Sequence, residues 1–321
     1  MAQEVHFARQ LVQSATDIAV VTHIRPDGDA IGSLLGLGLA LAASGKSVQM
    51  ISGDGVPSTF RFLAGSDRIR THLEELSGSL DLIVVVDASE LSRTGTVLDG
   101  YPSPHINIDH HPTNTNFAGI NLVEVSAVAC AEMIALLLPE LGLQIDKPVA
   151  EALLAGMLTD TIGFRTNNMT TRALNVATSL MEKGANLSEI YQKVLLQRSF
   201  QAMRFWGSGL SNLQRDGRIV WTALTMEDRK NAGYPGRDDA DLINILSSIS
   251  DTDISLIFVE QPDGNVKVSW RAVDNIDVSG VAQWFGGGGH RAAAGATMPG
   301  PLAEAQKSVL EVTRKLTFSS K

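Results

Sequence analysis

Short β-branched runs alternate with helical patterns through the first half of the chain. Residues 17–22 (DIAVVT), 47–51 (SVQMI), 81–86 (DLIVVV) and 105–108 (HINI) read as buried strands. Between or after them, 30–43, 127–138 and 148–159 have the apolar spacing and length of helices. Strands alternating with helices imply an α/β fold, doubly wound around a mainly parallel sheet. Ligands of such sheets bind beyond the carboxyl ends of the strands, so functional side chains should follow the strands directly.

Residues 170–206 read as helical and largely polar, with a break at Gly184. The expected organisation is a first domain over 1–185, a helical connector over 186–212, and a second domain over 213–321. In the second domain a strand at 218–224 follows the turn Arg215-Asp216-Gly217. A helix over 238–249 would carry Asp238, Asp239 and Asp241 at its positive N-terminal end. Strands 254–260 and 265–271 flank Pro262-Asp263-Gly264, a hairpin signal. A short helix near 278–285, a glycine run and a closing helix near 302–316 complete a smaller α+β domain.

The chain has 321 residues, 44% hydrophobic and 19% charged, which excludes a disordered or fibrous class. One cysteine makes neither an internal disulfide nor a cysteine metal cage, so a reducing, cytoplasmic setting is expected. The amphipathic N-terminus, with Glu4 and Asp17, is not expected to act as a signal peptide. The best apolar stretch, 125–138, is interrupted by Glu132 and falls short of the roughly 18 residues a membrane span needs. The apolar helix 127–138 suits a core or a homodimer contact equally.

Charge narrows the partners. The formal net charge is -9, without the basic excess that a groove for long duplex DNA requires. Residues 1–206 hold 14 basic and 21 acidic side chains, and two divalent cations would bring this region from -7 to -3. Anionic substrates are then acceptable locally.

Four clusters fall near the ends of the predicted strands and of one helix. His23-Ile24-Arg25-Pro26-Asp27-Gly28-Asp29 follows the first strand, Asp87 follows Leu82–Val86, Asp109-His110-His111 follows Ile106–Ile108, and Asp160 ends the helix 149–159. A lone aspartate after a strand is ordinarily a helix N-cap, and paired histidines are ordinarily turn residues. The conjunction argues for more. Carboxylates and imidazoles without thiolate suit Mn²⁺ or a similar divalent ion, and two such ions are the usual device for in-line attack on a phosphate. Gly32, Gly36 and Gly38 have the wrong order for a dinucleotide fingerprint and are expected to serve close helix–sheet packing. Near the C-terminus, Gly286-Gly287-Gly288-Gly289-His290 is expected to offer backbone N–H groups and a histidine to an anion, with Arg271 as a second anion contact.

These motifs resemble the DHH phosphoesterase superfamily. The resemblance rests on His23-x-x-x-Asp27-x-Asp29, Asp87, Asp109-His110-His111, Leu158-Thr159-Asp160-Thr161 and, for the DHHA1-type second domain, the glycine run ending in His290. Within the superfamily the chain is most similar to the stand-alone nanoRNase and pAp-phosphatase type, related to phosphodiesterases acting on pApA or cyclic-di-AMP. The resemblance implies two divalent ions, Mn²⁺ in the first place with Mg²⁺ or Co²⁺ as alternatives. His23 and Asp27 would hold one, Asp29, His110 and Asp160 the other, with Asp87 bridging and Asp109 orienting His110. It further implies that His111 meets the scissile phosphate, while Arg271, Gly287, Gly288, Gly289 and His290 grip a phosphate. Phe164, Arg165 and Asn167 are weaker candidates for base or phosphate contacts. One departure is Ser126-Ala127-Val128-Ala129-Cys130-Ala131, where relatives often place hydroxyl residues before the glutamate matching Glu132. The implied activity is hydrolysis of short oligoribonucleotides, pApA and 3′-phosphoadenosine 5′-phosphate. A cyclic-di-AMP phosphodiesterase is the first alternative, and a family II inorganic pyrophosphatase and a non-catalytic nucleotide sensor are further competing readings.

Overall fold

A computed structural model describes residues 2–73, 80–273 and 276–318, in two compact units, Met1–Gln197 and Arg198–Lys321. The first unit is built from strands β1 (Asp17–Val21), β2 (Ser47–Ile51), β3 (Leu82–Val86), β4 (Ile106–Asp109) and β5 (Ile120–Val123). They form one all-parallel sheet in the order β2-β1-β3-β4-β5. The four strands read from the sequence are all present, whereas β5 lacks a clear apolar run and is recognised only by its pairing with β4. Period-two alternation divides the sheet's side chains between two cores. Ile18, Val20, Leu82, Val84 and Val86 join the helices, while Ala19, Val21, Ile83 and Val85 pack with Leu73, Ala88 and Leu98.

The helices of this unit are α1 (Ala2–Ser14), α2 (Gly28–Ala43), α3 (Cys130–Glu140), α4 (Lys147–Asp160), α5 (Thr171–Glu182) and α6 (Leu187–Tyr191), the last continued by a π turn over Gln192–Leu196. Asp27 caps α2 by accepting from the Ala30 N–H at 3.0 Å, and Asp146 caps α4 by accepting from the Val149 N–H at 3.1 Å. Gly32 and Gly36 serve a different contact from the expected one. A β-carbon on Gly32 would lie 2.5 Å from the Ala152 carbonyl oxygen, and one on Gly36 would strike Leu153, so both face α4. Only Gly38 faces the sheet, at Met50. The apolar face of α3 is absorbed into the core of the unit.

The second unit begins with α7 (Phe200–Ser211) and continues through β6 (Gln214–Asp216), β7 (Ile219–Leu224), α8 (Met226–Ala232), α9 (Leu242–Leu246), β8 (Ile254–Glu260), β9 (Asn265–Ala272), α10 (Ser279–Trp284), β10 (Gly288–His290), β11 (Ala293–Pro299) and α11 (Leu302–Phe318). Its six-stranded mixed sheet runs β10-β11-β9-β8-β7-β6. The stretch 186–212 is divided between the units, with α6 packed in the first and α7 in the second. The helix expected over 238–249 shrinks to α9. Ala240 and Asp241 take left-handed φ values of 52° and 65°, which no helix accepts, and Asp239 accepts from the Ile243 N–H at 2.9 Å. The glycine run is likewise less open than expected, because Gly288–His290 form an edge strand paired with β11.

Candidate metal centre

The clusters converge at the carboxyl ends of β1, β3 and β4, beside the topological switch where β1 is flanked by β2 on one side and β3 on the other. His23 follows β1, and its Nδ1 lies 2.8 Å from the Ile24 carbonyl oxygen. With the proton on Nδ1, Nε2 is the atom that faces Asp27 at 3.9 Å and Asp87 Oδ2 at 3.6 Å. His110 is arranged in the same way. Its Nδ1 is 3.3 Å from the Ala127 carbonyl, and its Nε2 lies 3.8 Å from Asp29, 3.7 Å from Asp87 Oδ1 and 3.6 Å from Asp160. The two oxygens of Asp87 therefore point to different neighbours, one to His23 and the other to His110.

Asp87 is the first residue beyond β3 and takes φ 56°, a left-handed conformation that few non-glycine residues hold. Its N–H donates to the Ile108 carbonyl at 2.9 Å, which fixes the turn against β4. The carboxylate is almost wholly buried, yet among the described residues its Oδ1 has no hydrogen-bond donor. Asp29 lies in the first turn of α2 and is also buried. It accepts from the Cys130 N–H at 2.6 Å and the Ala131 N–H at 2.9 Å, so it caps α3 from a hundred residues away. Ala129 at that N-cap has no side chain able to do so. Gly156 makes room for this, since a β-carbon there would lie 3.0 Å from Asp29 Oδ1.

The electrostatics of the cluster favour a cation. Burial, then the neighbouring charge of Asp29, pushes Asp87 well above the usual carboxylate range. Burial and Asp27 raise Asp29 despite the opposing pull of His110, and burial with Asp29 raises Asp160 to about 7. Burial works to lower His110, but Asp29, Asp160, Asp87 and Asp109 prevail and raise it to about 9. Buried carboxylates this close are sustained by cations or by protons. The orphaned Asp87 oxygen and the oxygen–nitrogen donor set fit divalent cations. His23, Asp27 and Asp87 form one group whose ligand atoms lie within 4.8 Å of one another, and Asp29, His110 and Asp160 form another. Cys130 is no competitor, because burial raises its thiol and its Sγ donates to the Ile108 carbonyl.

Asp109 faces His111 rather than His110. Its Oδ1 is 2.7 Å from His111 Nδ1, and its Oδ2 accepts from Asn114 Nδ2 at 2.6 Å. Residues 109 and 111 share one side of the extended chain as it leaves β4, while 110 turns to the other. Burial works to raise Asp109, but the hydrogen bonds from His111 and Asn114 outweigh it and hold the carboxyl low. The Ala127 carbonyl, the Cys130 and Ala131 amides and Asn114 carry no motif and emerge only from the packing. Asn107, a polar residue within a buried strand, was the one legible hint, and its Oδ1 accepts from Asn114 at 2.8 Å.

Past Asp160 the chain makes a left-handed turn through Ile162, Gly163 and Phe164, with φ 48°, 73° and 65°. Thr161 Oγ1 accepts from the Phe164 N–H at 2.9 Å, and Tyr191 packs against Gly163. Arg165 and Asn167 are exposed beyond this turn. In the second unit, Arg271 of β9 pairs in register with Ala293 of β11, which pairs in turn with His290 of β10. One row across three strands thus holds both residues, although the His290 side chain lies outside the described residues. Arg271 is largely buried, which lowers its pKa, and its Nη1 donates to the Trp270 carbonyl at 3.0 Å. Gly286 and Gly287 give their N–H groups to the C-terminal turn of α10, at Gln283 and Ala282. Gly287 and Gly289 press on the β11 backbone, whereas a β-carbon on Gly288 would meet nothing.

A parallel sheet with six carboxylate and imidazole side chains gathered beyond its carboxyl edge has the donor groups that could hold divalent metal. Residues 17–157 match the family model for the N-terminal domain of the DHH family, and residues 224–316 match the DHHA1 domain. The chain is 36% identical over 301 residues to the bifunctional oligoribonuclease and PAP phosphatase NrnA of Thermus thermophilus, covering 93% of this chain and 89% of that relative. It is 29% identical over 286 residues to the NrnA protein of Mycoplasma genitalium, with 87% of each chain covered. Among solved structures, an exopolyphosphatase-related protein from Bacteroides fragilis superposes with a TM-score of 0.90 at 29% identity, covering 97% of this chain and 95% of that one. The chain belongs to the DHH family.

Proposed function

We propose that the chain is a phosphoesterase dependent on two divalent cations, Mn²⁺ by preference, that hydrolyses short oligoribonucleotides, pApA and 3′-phosphoadenosine 5′-phosphate. The observation that carries this reading is the split carboxylate of Asp87, with an orphaned buried oxygen on one side and His23 on the other. His23 and Asp27 would hold one ion and Asp29, His110 and Asp160 the other, with Asp87 placed between the two groups to serve both. When bound, such a pair polarises a phosphoryl group and makes water nucleophilic at neutral pH. The chain's own groups do the rest. Asp109, kept ionised by His111 and Asn114, accepts from His111 Nδ1 and fixes the ring, so that Nε2 is the nitrogen assigned to a phosphate oxygen. Arg165 and Phe164 follow Asp160 and are assigned to the nucleotide next to the reacting phosphate. Arg271, Gly287, Gly288, Gly289 and His290 are assigned to a second phosphate, and the row that Arg271 and His290 share in the sheet supports that pair.

The test is a side-by-side assay of pApA, a short RNA, 3′-phosphoadenosine 5′-phosphate, cyclic-di-AMP and pyrophosphate with Mn²⁺, Mg²⁺ and Co²⁺. Turnover of the first three, abolished by EDTA and restored by the ion, is expected. Preference for pyrophosphate, or tight nucleotide binding without product, overturns the assignment.

A further inference from the structure

Glu132 is wholly buried in the first turn of α3, and neither the ligand set nor the phosphate contacts explain it. Its Oε2 accepts from the Val128 N–H at 2.7 Å, and its Oε1 accepts from Arg172 Nε of α5 at 2.7 Å. The segment it grips is the one that touches the metal ligands. The Ala127 carbonyl meets His110 Nδ1 at 3.3 Å, and the Cys130 and Ala131 amides hold Asp29 at 2.6 and 2.9 Å. Two ligands from distant stretches of chain are therefore oriented by one five-residue turn. That turn has no side-chain cap of its own.

We propose that Glu132, braced by Arg172, is a positioning residue that keeps the 127–131 turn in register with His110 and Asp29. The inference rests on the two-metal reading above and adds that only one of the two ion sites depends on this brace. His23 and Asp27 receive none of these bonds, so the loss falls first on the ion assigned to Asp29, His110 and Asp160. Contacts of this kind behind a ligand typically alter metal affinity 10–100-fold.

The experiment titrates metal-free wild-type, Glu132→Gln, Arg172→Ala and Arg172→Lys proteins with MnCl₂ by calorimetry, alongside electron paramagnetic resonance and melting in EDTA. Arg172→Lys leaves a positive charge beside the wholly buried Glu132 carboxylate, so it keeps the fold if Glu132→Gln or Arg172→Ala does not. The wild type is expected to bind two ions with the spin-coupled signal of a manganese pair. Arg172→Ala should lose affinity by about 10–100-fold for one ion only and show a mononuclear signal at intermediate metal, with a lowered melting temperature that Arg172→Lys restores. Arg172→Lys should recover part of the loss. Two ions bound as tightly as in the wild type, or equal weakening of both, overturns the inference alone. A wild type that binds no pair of ions overturns it together with the two-metal reading.

Discussion

Replacing Gly32 with alanine tests how the two helices that carry Asp29 and Asp160 set the metal centre. The new methyl would lie 2.5 Å from the Ala152 carbonyl oxygen and 2.8 Å from the Gly156 nitrogen, against 3.4 Å for ordinary contact. Both obstacles are backbone atoms of α4, so they cannot rotate away. The helices must part by roughly 1 Å, an overpacking that costs about 1–3 kcal/mol. Alanine's better helix propensity offsets about 1 kcal/mol of this. Asp29 lies one turn before Gly32 on α2, and Asp160 one turn after Gly156 on α4, so the separation reaches the two carboxylates beside His110. A misplacement of about 1 Å can lower turnover by about 10²-fold. The expected outcome is thus a small change in melting temperature with a large loss of kcat on pApA at saturating divalent metal. Gly207→Ala, in α7 with open space around it, serves as the control and should keep full activity. Full turnover by Gly32→Ala would refute the argument, because close packing of α2 on α4 would then be irrelevant to the site.

Asp87→Asn keeps a residue that tolerates the left-handed backbone while removing the charge. Turnover should fall by about 10³-fold and metal binding should be lost with it, while melting in EDTA is unchanged or raised. Retained activity with bound metal rejects the bridging role. In the metal-free chain, His110 is raised from 6.5 to about 9, so its contribution to stability is complete below pH 6.5 and lost as pH rises through about 9. Asp160, raised from 3.8 to about 7, acts in the same direction at lower pH. The contribution of these two groups to melts in EDTA should therefore decline from about pH 4 to about pH 9, and added Mn²⁺ should flatten the decline. Gly287→Ala should destabilise the second unit, since its β-carbon would strike the Gly295 carbonyl oxygen. Gly288→Ala should leave melting unchanged yet raise KM, if a phosphate approaches that backbone. An unchanged KM removes Gly288 from the substrate contacts.

The chain announced the chemistry through local order. Strand ends and ligands are neighbours in sequence, so His23 after β1, Asp87 after β3 and His110 after β4 were readable from a few residues of context. Pairing of β5 with β4 and of β10 with β11 was not readable, because these strands draw their identity from partners rather than from an apolar run. The same holds for the short α9, where two left-handed residues overrule a helical pattern. At the metal centre, residue identity came from sequence and orientation came from packing. Asp109 meets His111, and Asp29 caps α3, because hydrogen bonds select partners by distance in space after the sheet and helices have assembled. A linear pattern names the donors. Only the folded backbone decides which of them share an ion and which of them hold the others in place.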